Sequence, residues 1–244
     1  MLETITIYDS DVAEPQASLH RVTDIKEAVR TQNRVNIYVD QKFFCSLDIS
    51  QVVDFGVKIG KQLSDSDLAE LKHASDFGKL YGRALEYVFS RPHSSKEICD
   101  YLKRKTLSRK IRVKNRKTGE YQTRVKEGYD ATLVPLVLDR LMERGYIDDS
   151  KFAAFWVENH NARKGSSLKK LRQELQQKGV SASIIDEALS DSDRDDIGEL
   201  QKIIAKKAAR YPDQQKFIQY LVRQGFSYSD VLDQLSSMSS STGE

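Results

Sequence analysis

The strongest constraint on this chain is an internal repeat. The run YLKRKT at 101–106 matches YLVRQG at 220–225, and ELQQKG at 174–179 fits the same frame. Each run is followed by a second anchor: VLDRL at 137–141, IIDEA at 184–188 and VLDQL at 231–235. Ordered self-similarity of this kind signals stacked supersecondary units. A helix, a tight turn and a second helix account for each pair of anchors. A longer helix precedes each pair, at 77–90, 150–163 and 196–210. One such unit buries a single apolar face and offers little core alone, so neighbours must stack. The expected fold is mainly α, with tandem three-helix repeats forming an elongated, curved, solenoid-like body.

Local signals agree with that frame. Phe77, Leu80, Tyr81, Ala84, Leu85 and Val88 follow i, i+3, i+4 spacing. Arg91-Pro92 stops that helix, because the residue before proline disfavours helical geometry. Ser94 to Glu97 reads as a capping box for the next helix, which carries Ile98, Tyr101 and Leu102. Further helices are expected at 133–144, 167–178, 182–190, 214–224 and 229–236, with Gly145, Gly179 and Gly225 as left-handed caps. From Ser236 the chain reads as a Ser-rich, disordered tail.

The first 60 residues differ. Thr4 to Tyr8 alternates apolar and polar residues, and residues 22–30 are a candidate strand. RVNIYV at 34–39 and KFFCSL at 42–47 read as a hairpin around Asp40-Gln41, a turn without the Asn-Gly or Asp-Gly signal. A short helix is expected near 50–55. The expected organisation is a small N-terminal β-containing (α+β) domain over 1–76, repeats over 77–148, 149–191 and 192–237, and a tail over 238–244.

The repeat exposes an insertion. Gly179 to Ile184 spans 5 residues and Gly225 to Val231 spans 6, but Thr106 to Val137 spans 31. The added segment, 107–131, reads as a β-hairpin: Lys110 to Lys114 and Tyr121 to Lys126 alternate with period two around a loop at 115–120, where Gly119 makes the bend. Strict alternation puts Ile111, Val113, Tyr121, Thr123 and Val125 on one face and Lys110, Arg112, Lys114, Arg124 and Lys126 on the other. A lone hairpin is marginal in water, so the apolar face is expected to rest on the helices or on a partner.

Charge singles out the same region. The chain's net charge is +3, yet Tyr101 to Glu127 holds 11 Lys/Arg against 2 Asp/Glu, a local +9 on a body of −6. Such a block is a footprint for nucleic acid or an acidic partner. The functional candidates are Arg91, Lys103, Arg104, Arg109, Lys110, Arg112, Lys114, Arg116, Lys117, Arg124 and Lys126, then Lys164, Lys169, Lys170 and Arg172 in the second repeat and Lys206, Lys207 and Arg223 in the third. Charged helix surfaces are ordinary, so the later two groups also read as solvated faces.

Other chemistry finds little footing. His20, His73, His93 and His160 lack ligand spacing, and Cys45 and Cys99 stand singly, as core residues do. Asp148-Asp149 reads as helix N-capping rather than a metal pair. Trp156 and Tyr87 could stack bases, but their helical spacing reads as core. No phosphate loop, nucleophile elbow or dinucleotide fingerprint is present. No catalytic site, metal or cofactor is expected. No apolar run approaches the roughly 18–20 residues of a membrane span, and the first ten residues lack a signal pattern, so a cytoplasmic, non-membrane protein is expected.

The motifs resemble those of the RecX family. ALEYVFSRPHS at 84–94 is similar to its opening motif, and GYIDDSKFA at 145–153 to its second. Lys164-Gly165 with Leu171, Leu175 and Lys178-Gly179 resembles the third, and Tyr220-Leu221 with Arg223 to Ser227 the fourth. The resemblance covers 77–236. It implies a monomeric, non-enzymatic regulator of the RecA recombinase in recombination, DNA repair and the SOS response. Such a regulator lies along the groove of the RecA–single-stranded-DNA filament and limits its ATPase and strand-exchange activities. Contact with duplex DNA is a further implication, and some members carry an N-terminal β-containing extension. Two features depart from the family pattern: Thr106 where glycine is usual, and the basic insertion. A stand-alone DNA-binding protein using the hairpin as a wing is the alternative.

Overall fold

A computed structural model of the chain describes residues 18–29, 33–115, 118–160 and 165–240. The strand expected near Thr4 to Tyr8 lies outside the described residues. Contacts divide the chain into two compact units, Met1–Lys79 and Leu80–Glu244.

The first unit is a four-stranded antiparallel sheet in the order β3-β2-β1-β4, formed by β1 (His20–Glu27), β2 (Arg34–Val39), β3 (Lys42–Asp48) and β4 (Gln62–Leu63). Alternation decides its core: Ile37, Val39, Cys45 and Leu47 are buried together with Val22, Leu63 and Leu71. Asp40 and Gln41 both take left-handed φ, 48° and 65°, so a two-residue turn closes without glycine. Asp40 compensates by accepting a hydrogen bond from the Arg21 amide at 3.0 Å. A short helix, α1 (Ile49–Asp54), carries a reciprocal capping box between Asp48 and Gln51. The long helix α2 (Asp65–Val88) begins in this unit, where the Ser75 hydroxyl donates to the Ser46 carbonyl at 2.7 Å. Burial pushes the Cys45 thiol pKa up, which suits an inert core residue.

The second unit contains three helical triplets, the first of which includes the end of α2. The end of α2 joins α3 (Ser95–Thr106) and α4 (Leu133–Glu143). Next come α5 (Asp149–Phe155), α6 (Leu168–Gln177) and α7 (Ala182–Ser190), then α8 (Asp196–Lys207), α9 (Gln214–Arg223) and α10 (Tyr228–Ser240). Each triplet has its own core. Leu80, Ala84, Ile98, Leu102, Leu133, Val137 and Leu141 are buried in the first. Phe152, Trp156, Leu171, Leu175 and Ile185 form the second, and Leu200, Ile204, Phe217, Leu221 and Val231 the third.

The triplets meet through one joint, used twice. At the first, the Ser94 hydroxyl donates to the Lys178 carbonyl at 2.7 Å and Lys96 Nζ donates to the Gln177 carbonyl at 2.9 Å. At the second, the Ser167 amide donates to the Gln224 carbonyl at 3.1 Å and Lys170 Nζ donates to the Arg223 carbonyl at 3.2 Å. The N-terminus of each middle helix thus receives the carbonyl-rich C-terminus of the next, so opposite helix-dipole ends face each other. An aspartate completes each joint. Asp149, in the first turn of α5, accepts from the Ser95 amide at 2.8 Å, and Asp196, in the first turn of α8, accepts from the Leu168 amide at 2.7 Å. The residue before each aspartate, Asp148 or Asp195, caps its own helix.

Several elements differ from the sequence expectation. Ser94 caps α3, but the Glu97 carboxylate pairs with Arg91 and Lys178 instead of closing a capping box. The helix expected over 150–163 keeps α geometry only to Phe155 and widens to a π turn over Trp156–His160. There the Asn159 amide takes the Phe155 carbonyl and Arg194 takes the Val157 carbonyl, which loosens the regular ladder. The helix expected over 196–210 tightens to a 3-10 turn at Ala208–Arg210. The stretch from Ser236, read as a tail, continues α10 to Ser240, and the Ser236 and Ser237 hydroxyls donate to the carbonyls three residues back.

Gly179 has φ +80°, and a Cβ there would lie 2.8 Å from the Lys96 Cβ across the joint. Gly179→Ala should therefore lower stability by about 1–3 kcal/mol in urea unfolding monitored by circular dichroism. In the first unit, His20 bridges Asp40 at 2.7 Å and Asp65 at 3.1 Å. Hydrogen bonds to those carboxylates hold its pKa above 6.5. Both carboxylates sit below their ordinary 3.8, Asp40 chiefly through the Arg21 amide and Asp65 chiefly through Ser18. Their contribution is complete above the carboxylate range and is lost as pH falls through their folded values. That of His20 is complete below 6.5 and is lost as pH rises through its higher folded value. An NMR titration should place His20 above the free-imidazole value, and Asp40→Asn should lower it.

Candidate nucleic-acid interface

The hairpin leaves the first triplet at the C-terminus of its middle helix. The last turn of α3 holds Lys103, Arg104 and Lys105, cations at the end where a helix favours them. After Thr106 the chain passes through Leu107 in extended geometry into β5 (Arg109–Lys114), and β6 (Tyr121–Lys126) returns. The root is tied by the Tyr129 amide, which donates to the Lys105 carbonyl at 3.1 Å, and by the Ser108 hydroxyl, which donates to Glu127 at 2.7 Å. Gly128 lies against the Thr106 carbonyl, so a Cβ there would collide with backbone.

The register corrects the expected division of faces. Cross-strand partners share a face, and the pairs are Arg109–Lys126, Lys110–Val125, Ile111–Arg124, Arg112–Thr123, Val113–Gln122 and Lys114–Tyr121. One face therefore carries Arg109, Ile111, Val113, Gln122, Arg124 and Lys126, and the other Lys110, Arg112, Lys114, Tyr121, Thr123 and Val125. Both faces are cationic. The apolar face expected to rest on the helices does not exist as such: every residue of β6 is exposed, Val125 at 59% and Tyr121 at 61%. Placing one strand's odd-numbered residues opposite the other's even-numbered ones is what mixes the sets.

Like charges crowd together at the root. Burial and the neighbouring cations Arg83, Arg109, Arg104 and Lys126 lower the Lys105 pKa, and its ammonium lies 4.6 Å from the Tyr101 ring centre. Lys103, Arg104, Arg109, Lys110, Arg112, Lys114, Arg124 and Lys126 are all exposed. The fold brings these together at the end of α3 and on the hairpin. Arg116, Lys117 and Lys164 lie outside the described residues.

Other candidates have structural partners. Arg91 pairs with Glu97 at 3.1 Å, Lys170 is held by the Arg223 carbonyl and Gln224, Arg172 pairs with Asp186, and Lys207 meets the Tyr220 hydroxyl. Lys169, Lys206 and Arg223 are exposed on α6, α8 and α9. Trp156 is buried, with its indole donating to Glu174 at 3.2 Å, and Tyr87 stacks on Tyr101 with ring centres 4.2 Å apart. Sequence reasoning missed two things. One is the second task of Asp149, legible afterwards in the repetition of Asp148-Asp149 as Asp195-Asp196. The other is Tyr121, which only the register places among cations. Among the described residues no His, Cys, Asp and Glu cluster could hold a metal ion, and no helix is long and apolar enough to cross a membrane.

Fold and surface define a class: a tandem three-helix-repeat protein with a small antiparallel-sheet unit and an inserted cationic hairpin. Residues 148–189 match the second three-helix domain of RecX, and residues 20–64 match the N-terminal domain of regulatory protein RecX. Regulatory protein RecX of Bacillus licheniformis is 30% identical over 218 residues, covering 86% of this chain and 74% of the relative. That of Bacillus subtilis is 30% identical over 224 residues, covering 88% and 76%. The chain belongs to the RecX family of regulatory proteins. A crystal structure of regulatory protein RecX shares the fold, with a TM-score of 0.63 at 24% identity over 88% of this chain and 99% of that one. The motifs read over 77–236 and the N-terminal β-containing extension that the resemblance implied both fall within the family, the latter through the match over residues 20–64.

The root contact generates a test. Gly128→Val should force the strands off the Thr106 carbonyl. Amide exchange in β5 and β6 should then accelerate more than tenfold while that of α6 and α9 stays unchanged.

Proposed function

We propose that this protein is a non-enzymatic, cytoplasmic regulator that binds the RecA–single-stranded-DNA filament as a monomer and lowers its ATPase and strand-exchange activities. Family membership supports the regulatory role, and the exposed cationic hairpin carries the contact. Lys103, Arg104, Arg109, Arg112, Lys114, Arg124 and Lys126 meet the anionic track of the filament, with Lys169, Lys206 and Arg223 as further contacts. The repeats act as the scaffold that sets the step between these contacts. The proposed domain boundaries remain those of the repeat pattern, with 107–131 as the functional insertion.

A second reading is favoured by one observation: both hairpin faces carry cations and β6 is wholly exposed. A wing of that kind binds naked DNA without a recombinase. The experiment that separates the two uses the full chain and its Arg112→Gln, Lys114→Gln, Arg124→Gln, Lys126→Gln variant. The parent chain should slow DNA-dependent ATP hydrolysis by RecA, and the variant should lose most of that effect. Its binding should also depend less on salt, the slope of log affinity against log salt flattening by roughly 0.7 for each lost phosphate contact. No inhibition by the parent chain at stoichiometric excess over filament would sink the regulator reading. Tight binding to bare duplex DNA without any effect on the filament would favour the wing.

A further inference from the structure

We propose that Tyr121 is a stacking platform for an unpaired base, so that the hairpin prefers single-stranded over double-stranded nucleic acid. This rests on the cationic-hairpin reading and adds to it a ligand class and a residue.

The geometry comes from the register. Tyr121 sits directly opposite Lys114 and diagonal to Arg112, which itself faces Thr123. The Arg112 guanidinium lies over the ring, 5.3 Å from its centre, and the Lys114 ammonium lies over it at 6.0 Å. Tyr121 is nevertheless 61% exposed. An exposed aromatic ring on a surface strand normally gains stability by packing against apolar neighbours. The direct and diagonal neighbours of this one are cations.

That arrangement has the two parts a sequence-tolerant single-strand site needs: a π-face for a base and flanking cations for the phosphates on either side. Lys110, Arg112 and Lys114 recur at every second residue of β5, a spacing of about 6.6 Å, comparable to the phosphate step of an extended strand. A duplex keeps its bases stacked inside and can offer this face only its phosphates. The second face, with Arg109, Arg124 and Lys126 but no aromatic ring, lacks the means to distinguish the two forms.

The test measures binding of the full chain to a fluorescent oligothymidylate and to a duplex of equal length by anisotropy at fixed salt. Tyr121→Ala should weaken single-strand binding about tenfold, the loss of one stacked base, and change duplex binding less than twofold. Tyr121→Trp should restore single-strand binding. Circular dichroism and hairpin amide protection check each variant, and if the alanine variant unfolds the hairpin, Tyr121→Leu takes its place. Equal losses for both ligands, or none for either, would overturn the stacking platform. If the four-glutamine variant described above loses binding while Tyr121→Ala keeps full single-strand affinity, the cationic hairpin stands and only the platform falls. If the parent chain binds neither oligonucleotide, the platform and a direct nucleic-acid contact by the hairpin fall together.

Discussion

The repeats depend on the joint between middle helices. At the first joint the hydroxyl of the capping serine, Ser94, and at the second the amide of its counterpart, Ser167, meets an orphan carbonyl at the C-terminus of the next middle helix. Groups that a helix cannot satisfy internally are thus satisfied by a neighbouring triplet. The glycine that ends α6 is required twice over, by its positive φ and by the close approach of Lys96. The glycine that ends α9 meets Ser167 and Lys170 in the same way. Both backbone ends are spoken for, so the step from one triplet to the next has little freedom.

The same logic accounts for Thr106. Among the described residues no helix N-terminus seats on the end of α3 as in the two joints, so that end needs neither a left-handed turn nor a missing Cβ. The chain leaves it in extended geometry and forms the hairpin there. Among the described residues the insertion follows the middle-helix C-terminus that takes part in neither joint, and the last turn of α3 there holds Lys103, Arg104 and Lys105.

The joint also sorts the cations. Lys96, Lys170 and Lys178 are spent on carbonyls and carboxylates across triplets. Arg91 and Arg194 are held by Glu97 and Glu199. At the hairpin root burial, and after it the like charges of Arg83, Arg109, Arg104 and Lys126, lower the pKa of Lys105. A charge that stabilises the fold and one available to an anion are the same residue type in sequence and differ only in what surrounds them.

Periodicity and composition were enough to count the repeats, order their helices, place Gly145, Gly179 and Gly225 in left-handed turns and locate a basic hairpin between the first pair of anchors. These are local properties: a helix stripe, a strand alternation or a glycine turn is decided within a few residues. Tertiary structure alone decided which cations are engaged, because the partners of Ser94 and Lys96 lie 84 and 81 positions away. It also decided the hairpin faces. Alternation says which residues of one strand share a side, but only the pairing of Ile111 with Arg124 and Lys114 with Tyr121 says which side of the other strand joins them. A shift of one residue would have separated apolar from charged and left Tyr121 without its cations.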